Sequence, residues 1–365
     1  MMGLAERVDA AIDAALESRI VGCVVLVHKA GKRLYGRAAG FADREAARPT
    51  QEDTIFRLAS VTKPIVATAA LRMIDLGLLS LDDPVTKYLP FFAPRGPDGT
   101  APTILIRHLL THISGLVYGQ IPEDVSRGAD PGPLIPLEEN LRRLARGTLA
   151  FDPGTAWGYG MSIDVLGGVI GAINGNVSDV EAALRRHVLD PLQMNDTRFG
   201  VTDASRLAAA YGDAVPAPIR MAEPQRMVNA DGGVEMMSPD RIFNPQAPQS
   251  GGAGMAGTAG DFMRLLEAVG GGFLSVPLRA TALSVQTGAL PMDRPGQGYA
   301  LIGAAVTDPV SSGWHKQGLI QWGGIWGNSW ILDPATQTAV VAFTNTMWDG
   351  CNGRFRDDIR DAVFG

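Results

Sequence analysis

The amino-acid sequence predicts an α+β fold in which an antiparallel sheet is flanked by helices and a helical domain is inserted between the segments that form the sheet. Three observations support this: β-rich runs between residues 22 and 41, further β-rich runs between residues 298 and 344, and mainly helical patterns between them. A sheet built from both ends of the chain is the simplest packing of that order. We therefore expect residues 1–58 and 250–365 to form a mixed α/β domain and residues 59–249 a mostly helical domain.

The N-terminal segment is predicted to be a helix followed by a β-hairpin. Apolar residues recur at helical spacing over residues 4–18. Residues 22–28 and 32–41 have the composition of strands and flank the turn Ala30-Gly31. His28 is expected to lie at a strand end and not to bind a ligand, because no metal-like spacing accompanies it.

The middle of the chain is predicted to be mainly helical, with Pro- and Gly-rich loops at residues 91–102 and 120–136. Residues 202–248 are expected to be irregular and to wrap a surface or line a pocket. The helices are predicted at residues 60–75, 81–85, 103–110, 137–146, 162–173 and 177–189.

The pattern changes near residue 250, where a glycine-rich turn precedes a predicted helix at residues 259–269. This turn lacks the Gly-Lys pair of a phosphate-binding loop. The remaining elements are predicted to be strands at residues 298–306, 319–322, 328–332 and 339–344, and a closing helix at residues 354–363.

Composition excludes several classes of partner. The net charge of −6 over 365 residues, with no basic run, argues against nucleic acid or an acidic membrane as a partner. Cys23 and Cys351 are too few and too isolated for a disulfide framework or a thiolate metal site, so we predict no metal and no cofactor. Residues 1–19 lack the features of a secretory signal, and no apolar run has the length of a membrane span. We therefore expect a cytoplasmic location.

The stretch Ser60-Val61-Thr62-Lys63 is the first candidate for chemistry. Ser60 stands at the start of a mostly apolar predicted helix, and a residue three positions later lies on the same helix face. Serine needs an adjacent base to act as a nucleophile, and lysine, unlike arginine, can shift its protonation when buried. The alternative is that Ser60 only caps the helix and Lys63 is solvated, because so short a pattern also occurs by chance.

Two further segments are candidates. Tyr159 follows a Pro-Gly turn and could be a core residue, or a general base if a nearby cation such as Lys63 favours its phenolate. Gly323 and Gly324 lie in a predicted strand, where adjacent glycines indicate the close approach of another backbone or a ligand. His112 and Ser114 are instead expected to stabilise a turn through hydrogen bonds to backbone groups.

The order of Ser60-Val61-Thr62-Lys63, Tyr159 and Trp322-Gly323-Gly324 resembles that of the serine β-lactamase/penicillin-binding protein superfamily, and more narrowly of the family VIII carboxylesterases. The resemblance covers essentially the whole chain. It implies a β-lactamase/transpeptidase-like fold, with an active site at the interface between the two predicted domains.

The resemblance also implies roles for individual residues. Ser60 would be the acylated nucleophile, Lys63 would hold the proton network, and Tyr159 would be the general base. The backbone N–H groups of Ser60 and Ile325 would form the oxyanion hole. The implied substrate-binding residues are Tyr118, Trp322, Gly323 and Gly324.

Departures from the β-lactamase pattern favour an ester as substrate. Trp322 takes the position of the lysine in the Lys-Thr-Gly motif, so the strand lacks the cation and hydroxyl that a β-lactam carboxylate requires. Met161 stands where class C lactamases carry asparagine, no Ser-Asp-Asn motif follows Ser60, and Gly-x-Ser-x-Gly is absent.

The sequence thus predicts a serine carboxylesterase that hydrolyses small, short-acyl esters through an acyl-enzyme, with a small-molecule ester as its partner. The alternatives are a β-lactamase or D-amino-acid peptidase, an acyltransferase on the same scaffold, and a penicillin sensor or inert descendant of the fold. Retention of Ser60, Lys63 and Tyr159 together disfavours the last of these. The oligomeric state stays open.

Overall fold

The computed structural model describes residues 2–228 and 233–365. The described α-helices are α1 (Leu4–Leu16), α2 (Thr62–Asp75), α3 (Ile106–Leu110), α4 (Leu137–Leu144), α5 (Ser162–Ile173), α6 (Val180–Leu184), α7 (Ala259–Gly270), α8 (Val276–Ala282), α9 (Pro309–Ser312), α10 (Met347–Cys351) and α11 (Arg354–Phe364).

The longest of the described strands lie near the chain ends, and those in the middle of the chain are short. They are β1 (Gly22–Lys29), β2 (Lys32–Asp43), β3 (Arg48–Pro49), β4 (Ile55–Arg57), β5 (Arg198–Phe199), β6 (Tyr211–Gly212), β7 (Ile219–Arg220), β8 (Gln225–Val228), β9 (Val234–Met237), β10 (Met255–Thr258), β11 (Gln297–Tyr299), β12 (Ala304–Val306), β13 (Ile320–Gly324), β14 (Asn328–Asp333) and β15 (Thr338–Thr344).

Both ends of the chain contribute to the main sheet, which confirms the predicted architecture. Its eight strands run in the order β11-β12-β13-β14-β15-β1-β2-β3, and every pair is antiparallel. The N-terminal β1 pairs with the C-terminal β15, with Val25 opposite Ala342. The predicted boundaries of the two domains, by contrast, stay a prediction.

Strand β1 is buried on both faces, which explains why its sequence is an unbroken apolar run. Successive side chains of a strand point to opposite faces. Val24 and Leu26 therefore belong to the larger core cluster, whereas Val25 and Val27 belong to a second cluster beneath α1 and α11. His28, near the end of β1, connects the sheet to α7, because its Nδ1 lies 2.7 Å from Glu267 Oε1.

Helix α2 is the central element of the helical region. Eleven of its residues, including Lys63, are buried, so the helix is apolar around its whole circumference and shows no amphipathic stripe. A helix enclosed in this way is held firmly by its neighbours, which include α5 and α6. The 3₁₀ helix Ala59–Val61, which leads into α2, contacts β13 of the main sheet, and this contact places Ser60 next to that strand.

Three predicted elements differ in detail from the structure. The run 298–306 is not one strand but β11 and β12, joined by a turn in which Ala300 N–H donates to the Gly303 carbonyl. The predicted helix at 81–85 is a 3₁₀ turn at Val85–Lys87, because Pro84 disfavours helix before it. The helix predicted at 177–189 is α6 followed by one π-helical turn, Arg185–Leu189.

The segment 202–248, predicted to be irregular, contains two small hairpins. Strand β6 pairs with β7 and β8 pairs with β9, and a 3₁₀ helix at Pro239–Phe243 follows. Residues 229–232 of this segment lie outside the described residues. The helix predicted at 103–110 is confirmed only from Ile106, because Leu105 forms a β-bridge with Pro84. Within the described ranges, no helix combines the length and hydropathy of a bilayer span.

Candidate active site

Ser60 lies in a short 3₁₀ helix, Ala59–Val61, that continues directly into α2. The preceding Ala59 has φ of +43°, a left-handed conformation that is unfavourable for a residue with a Cβ. Lys63 lies one helical turn after Ser60, and only 2% of its surface is exposed. Its Nζ lies 3.0 Å from Ser60 Oγ. The i, i+3 spacing therefore brings the amine and the hydroxyl together, as the sequence predicts.

Tyr159 approaches the same hydroxyl from the segment that precedes α5. Its Oη lies 2.7 Å from Ser60 Oγ. The Tyr159 carbonyl accepts a hydrogen bond from the backbone N–H of Tyr118, and the next residue, Gly160, bridges to Val117. A Cβ at Gly160 would collide with the Leu116 carbonyl, so glycine allows the two segments to meet and directs the phenol towards Ser60.

Strand β13 brings Trp322 to the phenol. The indole Nε1–H donates to Tyr159 Oη over 3.2 Å. The two glycines that follow are needed for backbone approach: a Cβ at Gly324 would collide with the Leu58 carbonyl, and one at Gly323 would lie 2.8 Å from the Asn328 carbonyl oxygen. Gly324 therefore lets β13 pack directly against the segment that carries Ser60, and Gly323 lets it pack against Asn328 and Cys351.

A cavity of about 570 Å³ opens above Ser60. Tyr118, Trp322, Gly323 and Ile325 line it with Ser60 and Tyr159, whereas Lys63 lies beneath its floor and Gly324 is buried against Leu58. Further lining residues include the aromatic and sulfur-containing Trp157, Met236, Met237, Trp348 and Cys351 and the charged Arg127, Asp130, Glu235, Asp293 and Arg294. Most of the surface that lines the cavity is apolar.

The phenol ring of Tyr159 is held between other rings. The centroid of the His112 ring lies 4.8 Å from that of Tyr159, and the centroid of the Trp322 ring lies 5.1 Å from it. The prediction that His112 hydrogen-bonds to the turn is wrong for its side chain, because neither ring nitrogen has a partner in the described chain. Burial, with Lys63 nearby, holds the pKa of His112 well below its usual value. Ser114 does accept from the Leu116 N–H, as predicted.

A buried carboxylate balances the lysine. Lys63 Nζ donates to the Gly252 carbonyl at 2.7 Å, and Asp164 of α5 accepts from the Ser250 hydroxyl. Burial opposes charge on Lys63, but attraction to Tyr118, Tyr159 and Asp164 outweighs it and holds the pKa of Lys63 above its ordinary value. Burial raises the pKa of Asp164.

Sequence reasoning missed the roles of Asp164 and Gly252. The one clue in the sequence was a single acidic residue inside the apolar run at residues 162–173. Cys351 also lines the cavity, but burial raises its pKa to about 11, so its thiol is a poor nucleophile at neutral pH. Within residues 2–228 and 233–365, no group of three or more His, Cys, Asp or Glu is arranged to hold a metal ion.

A serine hydroxyl between a lysine and a tyrosine, beside an antiparallel sheet flanked by helices, is the arrangement that the resemblance to the serine β-lactamase/penicillin-binding protein superfamily implies. The family model described as Beta-lactamase matches residues 8–361 of the chain. The chain belongs to the beta-lactamase family, which confirms the resemblance inferred from its motifs.

Individual relatives and solved structures show how similar the chain is to particular proteins. Esterase EstB of Burkholderia gladioli is 44% identical over an alignment 376 positions long, which covers 99% of this chain and 95% of that protein. A solved structure described as EstCE1, a hydrolase with promiscuous acyltransferase activity, has a TM-score of 0.92 and 37% identity, and the match covers 99% of this chain and 98% of that one. A penicillin-binding protein from Bacillus halodurans, at 18% identity and a TM-score of 0.69 over 100% of this chain and 99% of that one, shows the shared fold alone.

Proposed function

We propose that the protein is a serine carboxylesterase that hydrolyses small, short-acyl esters through an acyl-enzyme on Ser60. The observation that carries the proposal is the position of Ser60 Oγ, 3.0 Å from Lys63 Nζ and 2.7 Å from Tyr159 Oη, on the wall of a mostly apolar cavity. The 44% identity to Esterase EstB over nearly the whole chain supports an esterase.

In this mechanism Tyr159 is the base and Lys63 is the cation that lies beside it. The ammonium lies 4.7 Å from the centroid of the Tyr159 ring, and the raised pKa of Lys63 keeps the amine charged at neutral pH. The N–H of Trp322 donates to the phenol oxygen of Tyr159 and so helps to fix its position beside Ser60. Lys63 also donates to Ser60 Oγ and orients it.

The serine proton moves along the hydrogen bond between Ser60 and Tyr159. Ser60 Oγ attacks the ester carbonyl carbon while its proton passes to Tyr159, and the tetrahedral intermediate collapses as Tyr159 gives that proton to the departing alkoxide. Water next attacks the acyl-enzyme, Tyr159 accepts a proton from it, and the proton returns to Ser60 as the carboxylic acid leaves. The backbone N–H groups of Ser60 and Ile325, both on the cavity wall, would hold the negative carbonyl oxygen.

The cavity favours a neutral acyl group over a β-lactam or a peptide carboxylate. Trp322 places an indole at the strand position where such a carboxylate would need a cation, and its N–H is already donated to Tyr159. The Arg294 guanidinium on the same wall lies 4.9 Å from the centroid of this indole and is engaged in a cation–π contact with it. Tyr118, Trp157 and Met237 extend the apolar wall. We therefore expect p-nitrophenyl butyrate to be hydrolysed much faster than a chromogenic cephalosporin such as nitrocefin.

The test compares Ser60→Ala with a control at an exposed serine remote from the site, Ser284→Ala. Intact mass measured within seconds of adding p-nitrophenyl butyrate should show one acyl group on the wild type and the control, and none on Ser60→Ala. Hydrolysis by Ser60→Ala at more than about one-hundredth of the wild-type rate would contradict the proposal, since such loss is the minimum expected when a nucleophile is removed.

A second candidate activity is acyl transfer, which the 37% identity and TM-score of 0.92 to EstCE1, a hydrolase with promiscuous acyltransferase activity, favour. An alcohol that reaches the acyl-enzyme before water takes the acyl group by the same proton path. Adding benzyl alcohol to the p-nitrophenyl butyrate reaction should yield benzyl butyrate; no such product at high alcohol concentration would restrict the protein to hydrolysis. The cytoplasmic location stays a prediction.

A further inference from the structure

A second cavity, of about 320 Å³, adjoins the catalytic cavity, and Ala129 and Ala253 line both. Among the described residues that form its wall are three arginines, Arg57, Arg198 and Arg241, and no aspartate or glutamate. The whole chain carries 38 acidic against 32 basic residues. A cavity with only cationic side chains among its charged lining is therefore a local reversal of the overall charge, and it favours an anion.

Two of these arginines are buried and are held by neutral groups. Arg57 donates to two backbone carbonyls, and Arg241 donates to two backbone carbonyls and to the Ser126 hydroxyl. No carboxylate in the described chain pairs directly with either guanidinium. Burial lowers the pKa of Arg57 to about 10 although Asp240 and Glu223 attract its charge, and burial likewise lowers that of Arg241. Both buried charges thus lack full compensation by the protein.

The third arginine has unused donors. Arg198 lies on strand β5, its side chain is 41% exposed, and its nearest carboxylate oxygen, on Glu181, is 3.7 Å away. Its Nε has no hydrogen-bond partner in the described part of the chain. A planar guanidinium with free N–H groups binds carboxylates and phosphates through two parallel hydrogen bonds.

The apolar residues of the cavity wall indicate which kind of anion would fit. Phe199, Ile242, Phe243, Met255 and Trp326 form apolar surface around the arginines. Inorganic phosphate would leave this surface uncovered, whereas an anion with a hydrocarbon body would bury it. We propose that this cavity is a binding site for a small organic carboxylate, in which the arginines hold the carboxylate group and the apolar wall holds the hydrocarbon part. The proposal does not depend on the ester chemistry at Ser60.

The test uses Ala204, an exposed residue that lines the cavity and belongs to none of the catalytic contacts. Butyrate binding to the full-length protein is measured by isothermal titration calorimetry. Ala204→Glu places a like charge at the cavity and should raise the Kd for butyrate at least about tenfold, while the matched neutral variant Ala204→Gln should stay within about twofold. Because butyrate can also enter the catalytic cavity, only the difference between these two variants reports on the second site.

Arg198→Gln provides an independent variant, since the side chain is partly exposed and its loss should leave the fold intact. We expect at least about a tenfold rise in the Kd for butyrate, against no change for Arg186→Gln, an exposed arginine outside both cavities. Neutral butanamide should bind at least about tenfold more weakly than butyrate. Unchanged butyrate affinity in Ala204→Glu and Arg198→Gln would overturn the site, and tighter binding of inorganic phosphate than of butyrate would overturn the assignment to an organic carboxylate.

Discussion

Two groups lie within hydrogen-bond distance of Ser60 Oγ, and the reaction depends on which of them takes the proton. Lys63 is buried among groups that attract its charge, and this raises its pKa. An amine that is charged at neutral pH cannot accept the serine proton. It can orient the hydroxyl, and for this reason we propose that Tyr159 and not Lys63 acts as the base.

The variant Tyr159→Phe removes the phenol oxygen and leaves the ring contacts with His112 and Trp322. Loss of a general base lowers rates by about 10²–10⁴-fold, and we expect kcat/KM for p-nitrophenyl butyrate to fall within that range. The control Tyr88→Phe removes a phenol that bonds to Asp83 far from the cavity, and its rate should be unchanged. A Tyr159→Phe enzyme with more than about a tenth of wild-type kcat/KM would instead assign the base role to Lys63.

The variant Asp164→Asn tests the charge on Lys63. Attraction to Asp164 raises the pKa of Lys63, so removing the carboxylate lowers that pKa. If the charged amine is required, activity will be lost at lower pH than in the wild type, and the alkaline limb of the pH–rate profile will move towards neutrality. The profile should be compared with that of Asp240→Asn, a change remote from Lys63. A limb that stays in place would show that Asp164 has only a packing role.

The sequence could identify Ser60 and Lys63 because their contact is local, three residues apart on one helix. Tyr159 and Trp322 could be assigned only through the resemblance to a known family, because their contact joins residues 163 positions apart. Asp164 and Gly252 were missed for the same reason. Their influence on Lys63 depends on how α5 and the turn before β10 pack around α2, which no local pattern encodes.

At the scale of secondary structure, both stability and ester hydrolysis are expected to depend on the contact between β13 and the Ser60 segment. Gly324→Ala would place a methyl group against the Leu58 carbonyl, which cannot move without displacing Ser60. We expect the free energy of unfolding, measured by urea denaturation, to fall by about 1–3 kcal/mol, with loss of most ester hydrolysis. Gly272→Ala has open space around its Cβ and should change neither quantity. Full activity of Gly324→Ala would contradict the tight packing described here.

Elements with long periodic patterns were predicted well, whereas short ones depended on tertiary pairing. The first helix, the hairpin of β1 and β2, and helices α5, α7 and α11 lie where the sequence predicts them. The β-bridge between Pro84 and Leu105 replaces predicted helix with extended chain. The hairpins β6–β7 and β8–β9 could not be predicted, because their strands are short and partly polar and lack the alternation that identifies a half-buried strand.

At the scale of the whole molecule, the pairing of β1 with β15 joins the two ends of the chain in one core. Phe343 of β15 is fully buried and its ring packs against Phe56 and Phe262. Phe343→Ala should lower the free energy of unfolding by about 3–5 kcal/mol. Val310→Ala, at a side chain that is 91% exposed, serves as the control and should have almost no effect.

Because the sheet supports the site, circular dichroism and ester hydrolysis should be lost at the same temperature in the Phe343→Ala variant. If activity disappeared at a temperature well below that at which secondary structure is lost, the residues around Ser60 would form a separate, less stable folding unit. Coincident curves would show that one cooperative core holds both the sheet and the residues around Ser60.

The pairing of β13 with the Ser60 segment also bears on synthesis of the protein. When synthesis has reached residue 300, the serine, the lysine and the tyrosine are present, but the tryptophan that contacts the phenol is still unmade, and β1 lacks its partner β15. The growing polypeptide therefore carries its reactive groups in an unassembled form. The contacts around Ser60 can therefore form only after β13, Ile320–Gly324, has been synthesised and has packed against the Ser60 segment.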